Sequence, residues 1–172
     1  MIMNYSTIQK YSAEMFGTFM LVLFGTGAAV IAGESIGVLG IAFVFGLILL
    51  AMVYTIGPIS GCHINPAVTI AMVSLKKIKF GEGIGYIFSQ LIGATLGSLA
   101  LSGIMNNLIS GYERGQFALG ANGFGAEYLS GFNLEGALIM EFIMTAVFIL
   151  IILAVTSSKK MESVSGIVIG LS

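Results

Sequence analysis

Ser60-Gly61-Cys62-His63-Ile64-Asn65-Pro66-Ala67-Val68-Thr69 reads as a polar loop running into the first turn of a helix. Asn65 is a strong N-cap residue, because its side-chain oxygen can accept from the first free backbone N–H groups of a helix. Pro66 falls at the first helical position, where its missing N–H is no loss and its fixed φ suits the helix. On both sides lie segments apolar enough to span a bilayer. A helix that starts at membrane depth is tolerated only where its polar loop is buried in protein or lines a water-filled cavity. A plain helix cap does not account for that depth, so the segment points to a pore or a transport site.

The composition of the whole chain supports a membrane setting. Of 172 residues, 57% are hydrophobic and 9% are charged, against about a quarter charged in a soluble domain. An all-α integral membrane protein follows. The net charge of −1 gives no argument for a nucleic-acid partner. Cys62 is the one cysteine, which excludes an intrachain disulfide. One His and one Cys cannot complete a zinc set, and no nucleophile–base pair is present. No metal, cofactor or enzymatic activity is implied.

Four complete spans are expected, at Tyr11–Ala32, Val38–Ile56, Ile84–Met105 and Leu134–Thr156, each near the ~20 residues a bilayer requires. The first is longer than the apolar region of a signal peptide. Between the second and third spans, residues 65–76 form a helix of about 18 Å at 1.5 Å per residue, roughly half of a ~30 Å hydrocarbon core. A last apolar run begins near Val164 and ends at Ser172, too short to span. Lys10, Lys76, Lys77, Lys79, Lys159 and Lys160 fall on one side if the spans alternate, and Arg114 falls on the other. The positive-inside rule then makes the N-terminus cytoplasmic. The half-helix becomes a re-entrant segment entered from the cytoplasm, and residues 106–133, rich in Gly and Asn, become an external loop.

Small residues recur at helix-packing intervals. Ser89, Gly93 and Gly97 form one row and Ala42 and Gly46 another, and such rows let membrane helices approach closely. An internal repeat is also present. Ala13-Glu14-Met15-Phe16-Gly17-Thr18 matches Met140-Glu141-Phe142-Ile143-Met144-Thr145 in placing a Glu four residues before a Thr, and residues 40–47 have a looser echo in 166–171. The two units have opposite topology, the inverted-repeat plan of many transporters and channels. Glu14 and Glu141 lie inside apolar spans, where a carboxyl group is costly and marks either a function or a buried partner.

These residues resemble the aquaporin (major intrinsic protein) family. The Gly-x-His-x-Asn-Pro-Ala pattern at 61–67 is similar to its first Asn-Pro-Ala loop, residues 13–18 resemble its first-span motif, and Gln90 sits where the family carries a Gln in span three. Residues 121–125 resemble the external loop of its bacterial water-selective branch. The resemblance covers nearly the whole chain. It implies an aquaporin-like inverted-repeat helical bundle and a passive water channel, with a facilitator of glycerol or other small neutral solutes as the alternative. Asn65, Pro66 and Ala67 would form the pore motif, and the carbonyls of Gly61, Cys62, His63 and Ile64 an acceptor ladder. Phe45 would belong to the narrow constriction, where Phe accompanies water selectivity. Glu14 and Glu141 would brace re-entrant loops, a proton relay being the other reading. The resemblance also implies a homotetramer in the plasma membrane, in contact with the lipid bilayer.

The resemblance is incomplete in one respect. If Gly170 corresponds to Gly46 in the repeat, a second Asn-Pro-Ala would begin at about position 189, past Ser172. The expected architecture is therefore a single channel domain over residues 1–172, C-terminally truncated. Its first repeat covers 1–105 and part of a second covers 134–172, giving four full spans, one re-entrant half-helix and the start of a fifth span. A non-conducting remnant is the corresponding alternative.

Overall fold

The computed structural model describes residues 5–108, 111–112, 118–128, 131–158 and 160–172. Among these there is no strand. Arg114 and Lys159 of the charge pattern lie outside the described residues.

The first helix, α1 (Thr7–Ser60), opens on a capping box. The Ser6 hydroxyl accepts from the Gln9 amide at 3.3 Å, and the Gln9 side chain accepts from the Ser6 amide at 2.8 Å. Its helical geometry is interrupted at Gly37, whose φ of 64° and ψ of −178° belong to a region essentially reserved for glycine. The chain folds back there. Gly25 faces the Phe45 ring, Gly33 faces Ile41, and Gly17 faces Ile56, so residues 7–36 and 38–60 are antiparallel arms. These are the first two expected spans, and Gly37 is the turn between them.

The half-helix α2 (Pro66–Ser74) is shorter than the expected 65–76. Lys76 takes a left-handed φ of 56°. The Lys77 amide donates to Met72 O and the Lys76 amide to Val73 O, both at 2.9 Å. That pair is a Schellman closure, with lysine at the position glycine usually holds. Helix α3 (Phe80–Met105) starts before the expected Ile84, and α4 (Leu134–Thr156) matches its expected bounds. A short helix, α5 (Ser165–Gly170), occupies the last apolar run.

Three described helices, α1, α3 and α4, are long and apolar enough to cross a membrane. Few of their apolar residues are buried. Phe16, Phe24, Leu47, Phe88, Leu99 and Phe142 are among many that face outward, as a lipid-facing surface does.

The small-residue row on α3 packs against the first arm of α1. A Cβ on Gly93 would lie 2.2 Å from the Met15 carbonyl oxygen, and one on Gly97 would lie 2.9 Å from that of Phe19. Neither backbone can move aside alone, so glycine sets the approach of the two helices. Gly46 and Gly170 meet each other reciprocally. A Cβ on either would fall 2.1–2.6 Å from the other's carbonyl oxygen. Two apolar clusters form the core, one of Ala13, Met52, Ile56, Cys62 and Ile64, the other of Val68, Met72, Ile152, Val155 and Ile169.

Candidate functional site

Residues 61–65 link the second arm of α1 to α2, and their backbone is unusual. Gly61 caps α1 with φ 90°, its amide donating to Gly57 O at 2.9 Å. Cys62 and Ile64 also have positive φ, at 51° and 38°. For Ile64, a β-branched residue, this is a marked departure from the allowed regions, and each such residue costs about 1–3 kcal/mol. Something must hold the loop in this shape.

Glu14 does so. It is fully buried. One carboxyl oxygen accepts from the Ser60 hydroxyl at 2.6 Å and the His63 amide at 2.9 Å. The other accepts from the Ile64 amide and the Gln90 side-chain amide, both at 2.7 Å. Hydrogen bonds to a carboxylate are worth about 1.5–3 kcal/mol each, enough to offset the strain at Cys62 and Ile64. The network extends further. Ser60 Oγ accepts from the Cys62 amide at 3.1 Å, and Ser60 O accepts from the Tyr86 hydroxyl at 2.7 Å. Thr69 Oγ1 donates to Asn65 O at 3.1 Å and accepts from Gln90 Nε2 at 3.0 Å. Since that hydroxyl proton is committed to Asn65, the 3.2 Å contact of Thr69 Oγ1 with His63 Nδ1 requires His63 to donate through Nδ1. The His63 and Tyr86 rings meet edge to face, with centroids 5.1 Å apart.

The opposite side of the loop faces a cleft of about 700 Å³ lined by Gly61, Cys62, His63, Ile64 and Asn65. Its other walls are apolar, with Leu21, Leu49, Val53, Phe148, Ile152 and Val155 among them. Among the described residues, the carbonyls of residues 61–64 accept no hydrogen bond. Asn65 Oδ1 accepts from the Ala67 amide at 2.8 Å, which leaves its NH₂ group without a described acceptor on the cleft wall.

Phe45 and Glu141, expected at a constriction and at a second re-entrant loop, both lie away from this cleft. Phe45 does not line the cleft. Its ring rests on Gly25 of the first arm, where an added Cβ would sit 2.2 Å from it. Glu141 is exposed on α4, with no described hydrogen bond. Glu14 and Glu141 thus share a sequence motif and differ in surroundings. Conversely, Ser60, Thr69 and Tyr86 complete the network without having been singled out by sequence. Tyr86 carried one usable signal, its place four residues before Gln90 on the same helix face.

The family model described as major intrinsic protein matches residues 1–172. The chain belongs to the major intrinsic protein family. Its relatives include a protein named Aquaporin Z from Photorhabdus laumondii subsp. laumondii, 36% identical over 169 residues, covering 96% of this chain and 73% of the relative. A second Aquaporin Z, from Rhodopseudomonas palustris, is 37% identical over 169 residues and covers 95% and 69%. Among solved structures, the aquaglyceroporin from Plasmodium falciparum superposes with a TM-score of 0.72 at 24% identity, over 96% of this chain and 71% of that one. The last likeness establishes a common fold. Membership in the major intrinsic protein family agrees with the apolar, membrane-length helices.

Proposed function

We propose that this chain conducts water passively across a lipid bilayer, along the cleft walled by residues 61–65. The observation that carries this reading is the two-sided loop. Its amides at His63 and Ile64 are tied to Glu14, while its carbonyls at 61–64 accept from no protein donor among the described residues. A row of acceptors opposite an apolar wall passes water in single file with few binding minima. The Asn65 amide adds a donor at the end of the row. The N-terminus of α2 carries about half a positive charge, which disfavours cations and protons at that point. Glu14 acts as the brace of the loop, because all its hydrogen-bonding capacity is spent on protein donors and none is left for a proton relay. The names of the two Aquaporin Z relatives support water over other cargo.

The same reading sets the chain in the plasma membrane with a cytoplasmic N-terminus. The lysines near the ends of α2 and α3 support that orientation, and the outward apolar faces suit lipid and the neighbours of a homotetramer.

Stopped-flow light scattering on proteoliposomes tests the proposal. Vesicles with the protein shrink faster than empty ones in hyperosmotic sucrose, and dissipating a pH gradient leaves the rate unchanged. Shrinkage no faster than empty vesicles would contradict conduction, glycerol uptake rivalling water flux would assign a solute facilitator, and dependence on the gradient would assign a coupled transporter.

Cys62 supplies a second check. It lines the cleft, so a mercurial bonded to its sulfur would obstruct the row of carbonyls. Treatment is expected to remove most of the osmotic permeability and to spare Cys62→Ser. A Cys62→Ser protein blocked as strongly as the parent would place the sensitive group elsewhere.

A further inference from the structure

Between the end of α2 and the start of α3, the chain forms a second, shallow cleft of about 640 Å³. Lys76, Lys77 and Lys79 line it, together with Phe80 and Glu82. The three lysines are exposed, and among the described residues none of them has an acidic partner. The Glu82 carboxylate would oppose an anion here, but it is already paired with Lys10 at 2.8 Å. The cleft is therefore left with a net positive charge of about three, arising from an unpaired cluster. The Schellman closure at Leu75–Lys77 fixes the backbone that presents two of these lysines.

Apolar side chains flank the charge. Phe80 is 72% exposed, and Leu75 and Ile84 are also exposed. The site lies where α2 ends and α3, a helix long and apolar enough to cross a membrane, begins; in the orientation proposed above, that is the bilayer surface. A soluble anion would satisfy the lysines and leave Phe80, Leu75 and Ile84 in water. An anionic phospholipid satisfies both, with its phosphate among the lysines and its acyl chains along the exposed apolar side chains.

We propose that Lys76, Lys77 and Lys79 form a binding site for the headgroup of an anionic phospholipid of the same leaflet. Each lysine near an anionic bilayer surface contributes about fivefold in affinity, and salt screens part of this. The three together set a preference of at least about tenfold for phosphatidylglycerol over phosphatidylcholine.

Native mass spectrometry of the detergent-solubilised protein, titrated with each lipid, measures this directly and needs no conduction, so its outcome is independent of the water-channel reading. Phosphatidylglycerol is expected to bind in preference, and K76Q/K77Q/K79Q to abolish the preference. K76R/K77R/K79R is expected to retain it, and K160Q, which removes a lysine outside the cleft, to leave it unchanged. If the triple glutamine variant fails to fold, K77Q alone is expected to lower the preference about fivefold. Equal binding of the two lipids would overturn the proposal. So would a loss of preference in K160Q as large as in the triple variant, or displacement of the lipid by millimolar inorganic phosphate, which would make the site one for free anions.

Discussion

Glu14→Gln is expected to lower the unfolding free energy by about 3–5 kcal/mol, the usual result of breaking a buried, hydrogen-bonded charge network, and to abolish osmotic permeability. The substitution is nearly isosteric, so packing does not explain the effect. The reason lies in donor and acceptor balance. All four partners of the carboxyl group, from Ser60, His63, Ile64 and Gln90, are donors. A glutamine keeps one acceptor oxygen and turns an NH₂ group toward the remaining two donors. Whichever way it is oriented, one pair of buried donors is stranded, at about 1–3 kcal/mol each. The strained φ values at Cys62 and Ile64 then lose their support, and the carbonyls of residues 61–64 lose their alignment. Glu141→Gln provides the contrast. That side chain is exposed and has no described hydrogen bond, so the change is expected to stay within about 0.5 kcal/mol. Thermal unfolding in detergent and vesicle shrinkage measure both variants. Equal behaviour of the two would refute the assignment of Glu14 as the brace.

Gly93→Ala is the second large effect. The added methyl group would lie 2.2 Å from Met15 O and 3.1 Å from Phe19 N, both backbone atoms of the facing arm. A flexible side chain could swing away, but backbone can yield only if the helices part. Overpacking of this kind costs about 1–3 kcal/mol and occasionally more, and here it also displaces Gln90, one turn away on α3, from Glu14. A lower melting temperature and reduced permeability are expected together. Gly103→Ala, on the same helix, meets nothing within 4 Å and is expected to be neutral or to stabilise by about 0.5–1 kcal/mol through helix propensity. A Gly93→Ala protein as stable as Gly103→Ala would show that the helices do not meet at Gly93.

The fold was legible where the signal is local. Asn65-Pro66 announced the start of α2, hydropathy placed the spans, and the spacing of Gly93 and Gly97 announced a close helix contact. The turn at Gly37 was harder to read, because a glycine's left-handed φ leaves no mark beyond the glycine itself. The end of α2 was placed too late, since a lysine in the left-handed position of a Schellman closure carries none of the usual glycine signal. The brace was legible only in part. A carboxyl group inside an apolar span demanded a partner, but its partners lie 46 to 76 residues away in sequence, a separation no local pattern encodes. The family resemblance implied a braced loop, while Ser60 and Thr69 emerged only from the three-dimensional arrangement and Tyr86 carried only its spacing from Gln90. Phe45 shows the opposite limit. The family resemblance gave it a place at the constriction, but sequence says nothing of the direction of the ring, which lies over Gly25.

The central claim is that Glu14 holds the amides of His63 and Ile64 so that the carbonyl side of the loop is left for water. Residue-resolved amide hydrogen exchange tests it most directly. In the parent protein, His63 and Ile64 are expected to exchange as slowly as Thr69 inside α2. In Glu14→Asp, whose carboxyl group is one methylene too short to reach them, they are expected to exchange much faster while Gly93 stays protected. Rapid exchange at His63 and Ile64 in the parent, or unchanged protection in Glu14→Asp, would contradict the account.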